Sequence, residues 1–237
     1  MSNVNGINGS SGIYGMQGLG DTSGMSPDAL LEYCQMQMSS LDSQITGLEN
    51  TMQQQTTDEK TVKNLQAQLE QMGGANGPQD AQGLHQAYEA YQAAINSLPD
   101  GDPVKAQLQD QCTAMCNQYG YTPPTTALTP DEQKRLTSDN KILQGGDVMK
   151  MGAAAFDKAL LDDKQYGTAD GNKKPDSNSW QGTTAAVGGL SDSINQDCQM
   201  QMLQLQQLAS QQSNALELTT QLLQKVDSTA LDIAKNT

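Results

Sequence analysis

Residues 185–235 read AAVGGLSDSINQDCQMQMLQLQQLASQQSNALELTTQLLQKVDSTALDIAK. One row of this stretch, at seven-residue intervals, runs Val187, Ile194, Gln201, Leu208, Ala215, Leu222 and Thr229. A second row, also spaced by seven, runs Cys198, Leu205, Gln212, Thr219, Val226 and Ile233. Interleaved steps of three and four are the signature of a helix that packs by coiled-coil rules. A third row sits one residue after the first: Met202, Ala209, Leu216, Leu223 and Ala230. The apolar surface is therefore wider than a two-stranded seam, and such a helix can pack on two neighbours at once. One expected neighbour is the N-terminal helix; the other is a second copy or a different protein. A monomeric bundle with both stripes internal fits the same pattern. Ile194, Cys198, Leu205, Leu208, Leu222 and Val226 are the candidate seam, and Met202, Ala209, Leu216, Leu223, Ala230 and Ile233 the candidate self-assembly or partner interface. Gln201, Gln212 and Thr219 at seam positions predict a register-setting contact of moderate stability.

The expected seam partner lies at 26–73. Ser26 suits an N-cap, Pro27 the first helical position, and Asp28 the positive end of the helix dipole. Leu31, Cys34, Met38, Leu41, Ile45, Leu48 and Met52 then recur with steps of three and four. After the Gln/Thr-rich residues 53–57 the period resumes at Val62, Leu65, Leu69 and Met72, shifted by one residue, which predicts a break or phase adjustment near 56–60. Gly73 and Gly74 end the segment.

The middle, 74–182, reads as a helical hairpin followed by shorter helices and loops. A helix over 80–98 presents Leu84, Tyr88, Tyr91 and Ile95, and a turn at 99–103 (PDGDP) leads to a helix over 104–119. Thr129-Pro130-Asp131-Glu132 is a capping box opening another helix, interrupted at Gly145-Gly146. Residues 148–161 form a further helix, with Met149, Ala153, Phe156 and Leu160 on its apolar face. Residues 162–182 are rich in Gly, Asn, Asp, Lys and Ser and predict a loop, beside which Trp180 either anchors the loop onto a helix or stands exposed as a contact. At most a small hairpin is expected within 120–182.

Composition sets the function classes. With 35% hydrophobic and 4% aromatic residues, the chain suits helices packed along narrow seams, giving a mainly α fold whose long N- and C-terminal helices form the coiled coil. A net charge of −14 disfavours nucleic acid and anionic membrane surfaces. No stretch reaches the roughly 18 apolar residues of a membrane span. Cys34, Cys112, Cys116 and Cys198 form no zinc pattern with the single histidine, His85. Cys112 and Cys116 sit one helical turn apart, as two buried thiols or a local disulfide. No nucleotide loop or nucleophile elbow is present, and the faint calcium-loop beginnings at Asp100 and Asp170 lack the closing acid. Neither enzyme nor cofactor chemistry is expected. Residues 1–25 lack a basic start and an apolar core, so they are not a general secretory signal; a flexible tail or another kind of export signal is the expectation.

Several of these features together resemble the hydrophilic translocator, needle-tip and filament proteins of bacterial type III secretion systems. Residues 210–236, SQQSNALELTTQLLQKVDSTALDIAKN, carry the resemblance best: a Ser/Asn/Ala/Leu-rich helix continuing into Leu222-Leu223-Gln224-Lys225-Val226-Asp227-Ser228 is similar to the closing helix of the V-antigen group. The filament subunits share the glycine-containing lead-in Ala185-Ala186-Val187-Gly188-Gly189-Leu190 and a Gln/Met/Leu-rich final helix. The Ser/Asn/Gly/Ile tail resembles the uncleaved export signals of that pathway, while residues 75–182 match no member. The resemblance implies an antiparallel pairing of the two long helices and a variable outward middle. It also implies secretion to the bacterial surface on a needle, where the chain caps the tip or polymerises into a filament and supports effector translocation. Its implied partners are further copies of itself, the needle subunit, the hydrophobic translocators and a cytoplasmic secretion chaperone. A secreted coiled-coil effector or scaffold that binds host proteins is the alternative.

Overall fold

The computed structural model describes residues 26–74, 76–145 and 148–235. Among them the chain is mainly helical: α1 (Pro27–Gly73), α2 (Ala81–Ser97), α3 (Pro103–Tyr119), β1 (Tyr121–Thr122), α4 (Pro130–Gly145), α5 (Val148–Tyr166), β2 (Thr168–Ala169) and α6 (Ser177–Lys235). Two compact units result, one formed by Met1–Gln53 with Gln199–Thr237 and the other by Gln54–Cys198. The division runs through the interior of both α1 and α6. The tail 1–25, read above as an export signal, lies outside the described residues.

The starts of α2, α3, α4 and α6 are each capped by a short polar side chain. Asp80 accepts the Gly83 amide at 2.8 Å and Asp102 that of Val104 at 2.8 Å, with Pro103 at the first position of α3. The capping box before α4 closes both ways: Glu132 N–H donates to Thr129 Oγ1 at 3.3 Å, and Thr129 N–H to Glu132 Oε2 at 2.8 Å. Asp176 and Ser179 do the same for α6, at 2.7 and 2.9 Å. Helix α3 ends on Gly120 at φ 60°, where a Cβ would come within 2.6 Å of Asp170 Cβ, so the chain needs glycine there to enter β1.

Four helical segments close around one core. Val62, Leu65 and Leu69 come from α1; Leu84, Ala87, Tyr91 and Ile95 from α2; Leu108, Cys112, Met115 and Tyr119 from α3; Trp180, Val187, Leu190 and Ile194 from α6. Trp180 is 4% exposed, and its indole N–H donates to Leu69 O at 3.1 Å. Nearby, Tyr119 and Thr183 hydroxyls meet at 2.8 Å and Gln79 Nε2 donates to Pro175 O at 3.0 Å. The helical hairpin α4–α5 is held by ion pairs: Arg135 to Asp157, and Lys164 to Glu132 at 2.6 Å. The Lys164 ammonium, with the Thr129 hydrogen bonds, lowers the Glu132 pKa to about 2.

Several expectations are corrected. Of the break or phase adjustment expected near 56–60 the break is absent: helix α1 runs unbroken, while the covered row shifts by one residue from Ile45 and Met52 to Asp58 and Leu65. Gln and Thr weaken a helix only slightly, and Asp58, 3% exposed, is held by Gln54 one turn earlier. The loop expected over 162–182 is confined to 167–176 and contains β2: α5 continues to Tyr166 and α6 begins at Ser177, eight residues before the stretch that opened the sequence reading. Trp180 therefore lies in the first turn of α6 and is buried. On α5 the buried residues are Ala154 and Leu161, while Ala153, Phe156 and Leu160, assigned to the apolar face, are exposed. The strands β1 and β2 pair antiparallel, Tyr121 with Ala169, across the α4–α5 hairpin rather than within a tight turn. All four cysteines are free thiols.

Asp58 carries an electrostatic cost. Gln54 Nε2 donates to Asp58 Oδ1 at 2.8 Å and to Asp102 Oδ2 at 3.3 Å, so two carboxylates share one amide. Burial, with the Asp102 charge adding to it, raises the Asp58 pKa. The folded state thus binds this proton more tightly than the unfolded chain. The resulting stability is complete below the ordinary value of 3.8 and is lost as pH rises through the shifted one. Asp58→Asn, which imitates the protonated form, is expected to raise the unfolding free energy measured in urea at pH 7 by about 1 kcal/mol and to flatten its dependence between pH 7 and 4; an unchanged slope would refute the assignment. Trp180→Phe should cost about 1 kcal/mol for the lost hydrogen bond and Trp180→Ala about 3–5 kcal/mol, both measured by urea unfolding.

Candidate interaction surface

The C-terminal part of α6 holds no Pro or Gly after Gly189, and its Gln, Leu, Met and Ala are good helix formers. Thr219 and Thr220 return their hydroxyl protons to the carbonyls one turn back, at 2.7 and 2.9 Å, so neither leaves a polar group in need. In the unit of 26–53 with 199–235, α1 shields one face. Leu41 is buried, and Leu31, Cys34, Met38, Ile45, Leu48 and Met52 are half-buried. From α6, Ala215 is buried and Gln201, Leu205, Leu208, Gln212, Thr219 and Leu222 are half-buried. Val226 is exposed, and the side chains of Ala230 and Ile233 lie outside the described residues. Gln212 Nε2 donates to Asp42 Oδ1, and Thr219 Oγ1 lies 4.0 Å from Met38 Sδ. Gln201 Oε1 is buried with no hydrogen-bond partner, which weakens this contact where an aliphatic side chain would strengthen it. Of the predicted seam residues, Ile194 and Cys198 belong to the other unit. There Ile194 joins the core, Cys198 Sγ lies 3.2 Å from Gln55 Oε1, and Asn195 Nδ2 donates to Glu59 Oε1 at 2.7 Å.

The third row is open. Met202, Ala209, Leu216 and Leu223 are all exposed, Leu216 by 50%; Met200, Leu203 and Leu218 are exposed as well, on other faces of the helix. Residues 199–224 carry a single charged side chain, Glu217. An apolar surface of this length without charge is the composition of a contact surface, since fully buried interface cores are depleted of ions. Leucine at about 2 kcal/mol per buried side chain supplies the driving force. Heptad spacing alone exposed this row; the flanking Met200 and Leu203 carried no periodic signal.

Chemistry-bearing groups elsewhere are tied into the fold. His85 Nδ1 lies 2.8 Å from the Tyr121 hydroxyl, which donates to Tyr166 O at 2.9 Å, and His85 Nε2 lies 3.3 Å from Glu89. Tyr88 stacks on the same ring and Tyr166 meets it edge-on. Burial, first, raises the Tyr121 pKa. A cleft beside β2 is lined by Asp80, Tyr119, Asp170 and Lys173, which mix both signs of charge. Among the described residues no group of three or more His, Cys, Asp or Glu side chains is placed to hold a metal ion, and no helix is long and apolar enough to cross a membrane. No family model, curated protein or solved structure matches the chain.

The two faces of α6 separate by their response to truncation. Leu41→Ala, on the shielded side, is expected to cost about 2–3 kcal/mol in urea unfolding. Leu216→Ala, half in solvent, should change monomer stability by less than about 0.5 kcal/mol. Equal costs would mean that the open row is covered within the chain.

Proposed function

We propose that this chain is a secreted structural protein of a bacterial type III secretion apparatus. It caps the needle tip or polymerises into the extracellular filament, and so supports effector translocation. It acts by assembly and not by catalysis. The observation that carries the reading is the exposed, nearly uncharged row Met202, Ala209, Leu216 and Leu223 on α6. A chain with net charge −14 has no reason to keep such a surface unless another protein covers it.

The two long helices pair as an antiparallel coiled coil. In the unit of 26–53 with 199–235, Met38 meets Thr219 and Asp42 meets Gln212, so the number rises along α1 as it falls along α6. In Gln54–Cys198 the order is the same: Gln55 with Cys198, Glu59 with Asn195, Leu69 with Trp180. The resemblance of residues 210–236 to type III closing helices and of the N-terminal tail to export signals supplies the destination. The needle subunit, the hydrophobic translocators and, before export, a cytoplasmic chaperone over the apolar row are the partners this role requires.

Electron microscopy of the purified protein is expected to show rings or fibres, and Leu216→Glu or Leu223→Glu to shrink them while helix content by circular dichroism stays within a few per cent. Removing residues 1–24 should abolish export from a secreting strain. Normal effector entry into host cells by a strain lacking this chain would sink the apparatus role.

A further inference from the structure

Large apolar side chains that stand in solvent gather in two places among the described residues. One is the α6 row; the other is α5, where Phe156 is 77% and Leu160 60% exposed. Around them Gly152, Ala153, Ala155 and Ala159 are exposed too, and a Cβ added at Gly152 would meet nothing within 4 Å. The α5 face is hence shallow, apolar and open. The chain's only phenylalanine stands on it, although the core of Gln54–Cys198 holds Leu, Val, Ile, Tyr and Trp in its place.

We propose that this α5 face receives the α6 row of a second copy of the same chain, which rests on the self-assembly reading above and specifies its geometry. Charge selects the occupant. Two copies each carrying −14 repel, so they can meet only where both surfaces are neutral. Residues 199–224 carry Glu217 alone, and residues 152–160 carry Asp157 and Lys158, which cancel and are already engaged by Arg135 and Asp162. The α5 face buries no unpaired ion on docking, and on α6 Glu217, which accepts from Gln221 Nε2 at 3.3 Å, is the one charge to accommodate. Shape agrees. The long Met and Leu side chains of α6 find depth over the small residues of α5, and Phe156 finds it over Ala209, beside which Ser210, Ser213 and Asn214 offer no large side chain. The α5 face of 152–160, about 12 Å long, covers part of the row from 202 to 223, which spans about 32 Å. Because the two faces differ, the contact is heterologous. Each docked copy presents a fresh α6 row and a fresh α5 face, so the assembly grows as a ring or an open polymer rather than stopping at a dimer.

The test is complementation between full-length Phe156→Glu and Leu216→Glu, each checked for native helix content and for the fluorescence of buried Trp180. Either variant alone is expected to self-associate at least tenfold more weakly than wild type by sedimentation. An equimolar mixture, with one intact α5 face and one intact α6 row between the two chains, should form 1:1 dimers and nothing larger. If Phe156→Glu assembles like wild type while Leu216→Glu does not, the α6 rows meet each other; this inference fails and self-assembly stands. A mixture that stays monomeric also overturns it. A wild-type chain that is monomeric at high concentration removes both readings.

Discussion

Trp180 ties the two ends of the helical core together. Its indole N–H takes the Leu69 carbonyl in the last turns of α1, while its ring fills the space that Gly73 and Gly77 leave by having no side chain. The same residue occupies the first turn of α6, just beyond the Asp176–Ser179 cap. One buried side chain thus fixes where α1 ends, where α6 begins and how the two approach within Gln54–Cys198. Everything further along α6, from Val187 and Ile194 in the core to the cysteine at 198, inherits its rotation from that anchor, because a helix without Pro carries phase faithfully at 100° per residue.

The two units draw on different chemistry. Gln54–Cys198 is closed by Leu, Val, Ile and aromatic side chains from four helical segments, and its caps and ion pairs are polar groups with partners. The unit of 26–53 with 199–235 has Leu41 and Ala215 as its buried hydrophobic residues among those described, and its shielded face includes Gln201, Gln212 and Thr219. Burying a glutamine gains far less than burying a leucine. That unit therefore opens at lower free energy than the other. Moderate stability of this kind suits a surface that gains its remaining stabilisation when a partner arrives, since binding to the folded form adds to it by mass action.

Much of this was legible in the sequence, for identifiable reasons. The steps of three and four from Leu31 to Met52 fall on residues that are buried or half-buried, because a heptad pattern is a direct record of which side of a helix is covered. The caps at Ser26 and Thr129 were readable because their hydrogen bonds are local. Other features depended on contacts distant in sequence. Asp58 is buried beside Asp102, 44 positions away, which no local pattern reports. The Gly/Asn/Ser composition before Ala185 hid the start of α6, since nothing local reports that Leu69 will meet Trp180. On α5 both faces hold apolar residues, so the period admitted Phe156–Leu160 as readily as Ala154–Leu161, and only packing chose.

The pairing of an open apolar row with a strongly acidic chain also bears on when assembly happens. Long-range repulsion between copies extends over about a Debye length, near 8 Å at physiological salt, whereas apolar contact acts only on touching. Free chains at low concentration are thus held apart by their charge while the row stays exposed. In the proposed role, chains delivered one after another to a single point would meet at high local concentration, where the contact term would act on each arrival. Glutamine and serine around the row keep it hydrated without adding charge that docking would have to strip. The same −14 that keeps copies apart in dilute solution makes the neutral faces of α6 and α5 the surfaces where approach is least opposed. Specificity then comes as much from repulsion everywhere else as from attraction at the contact.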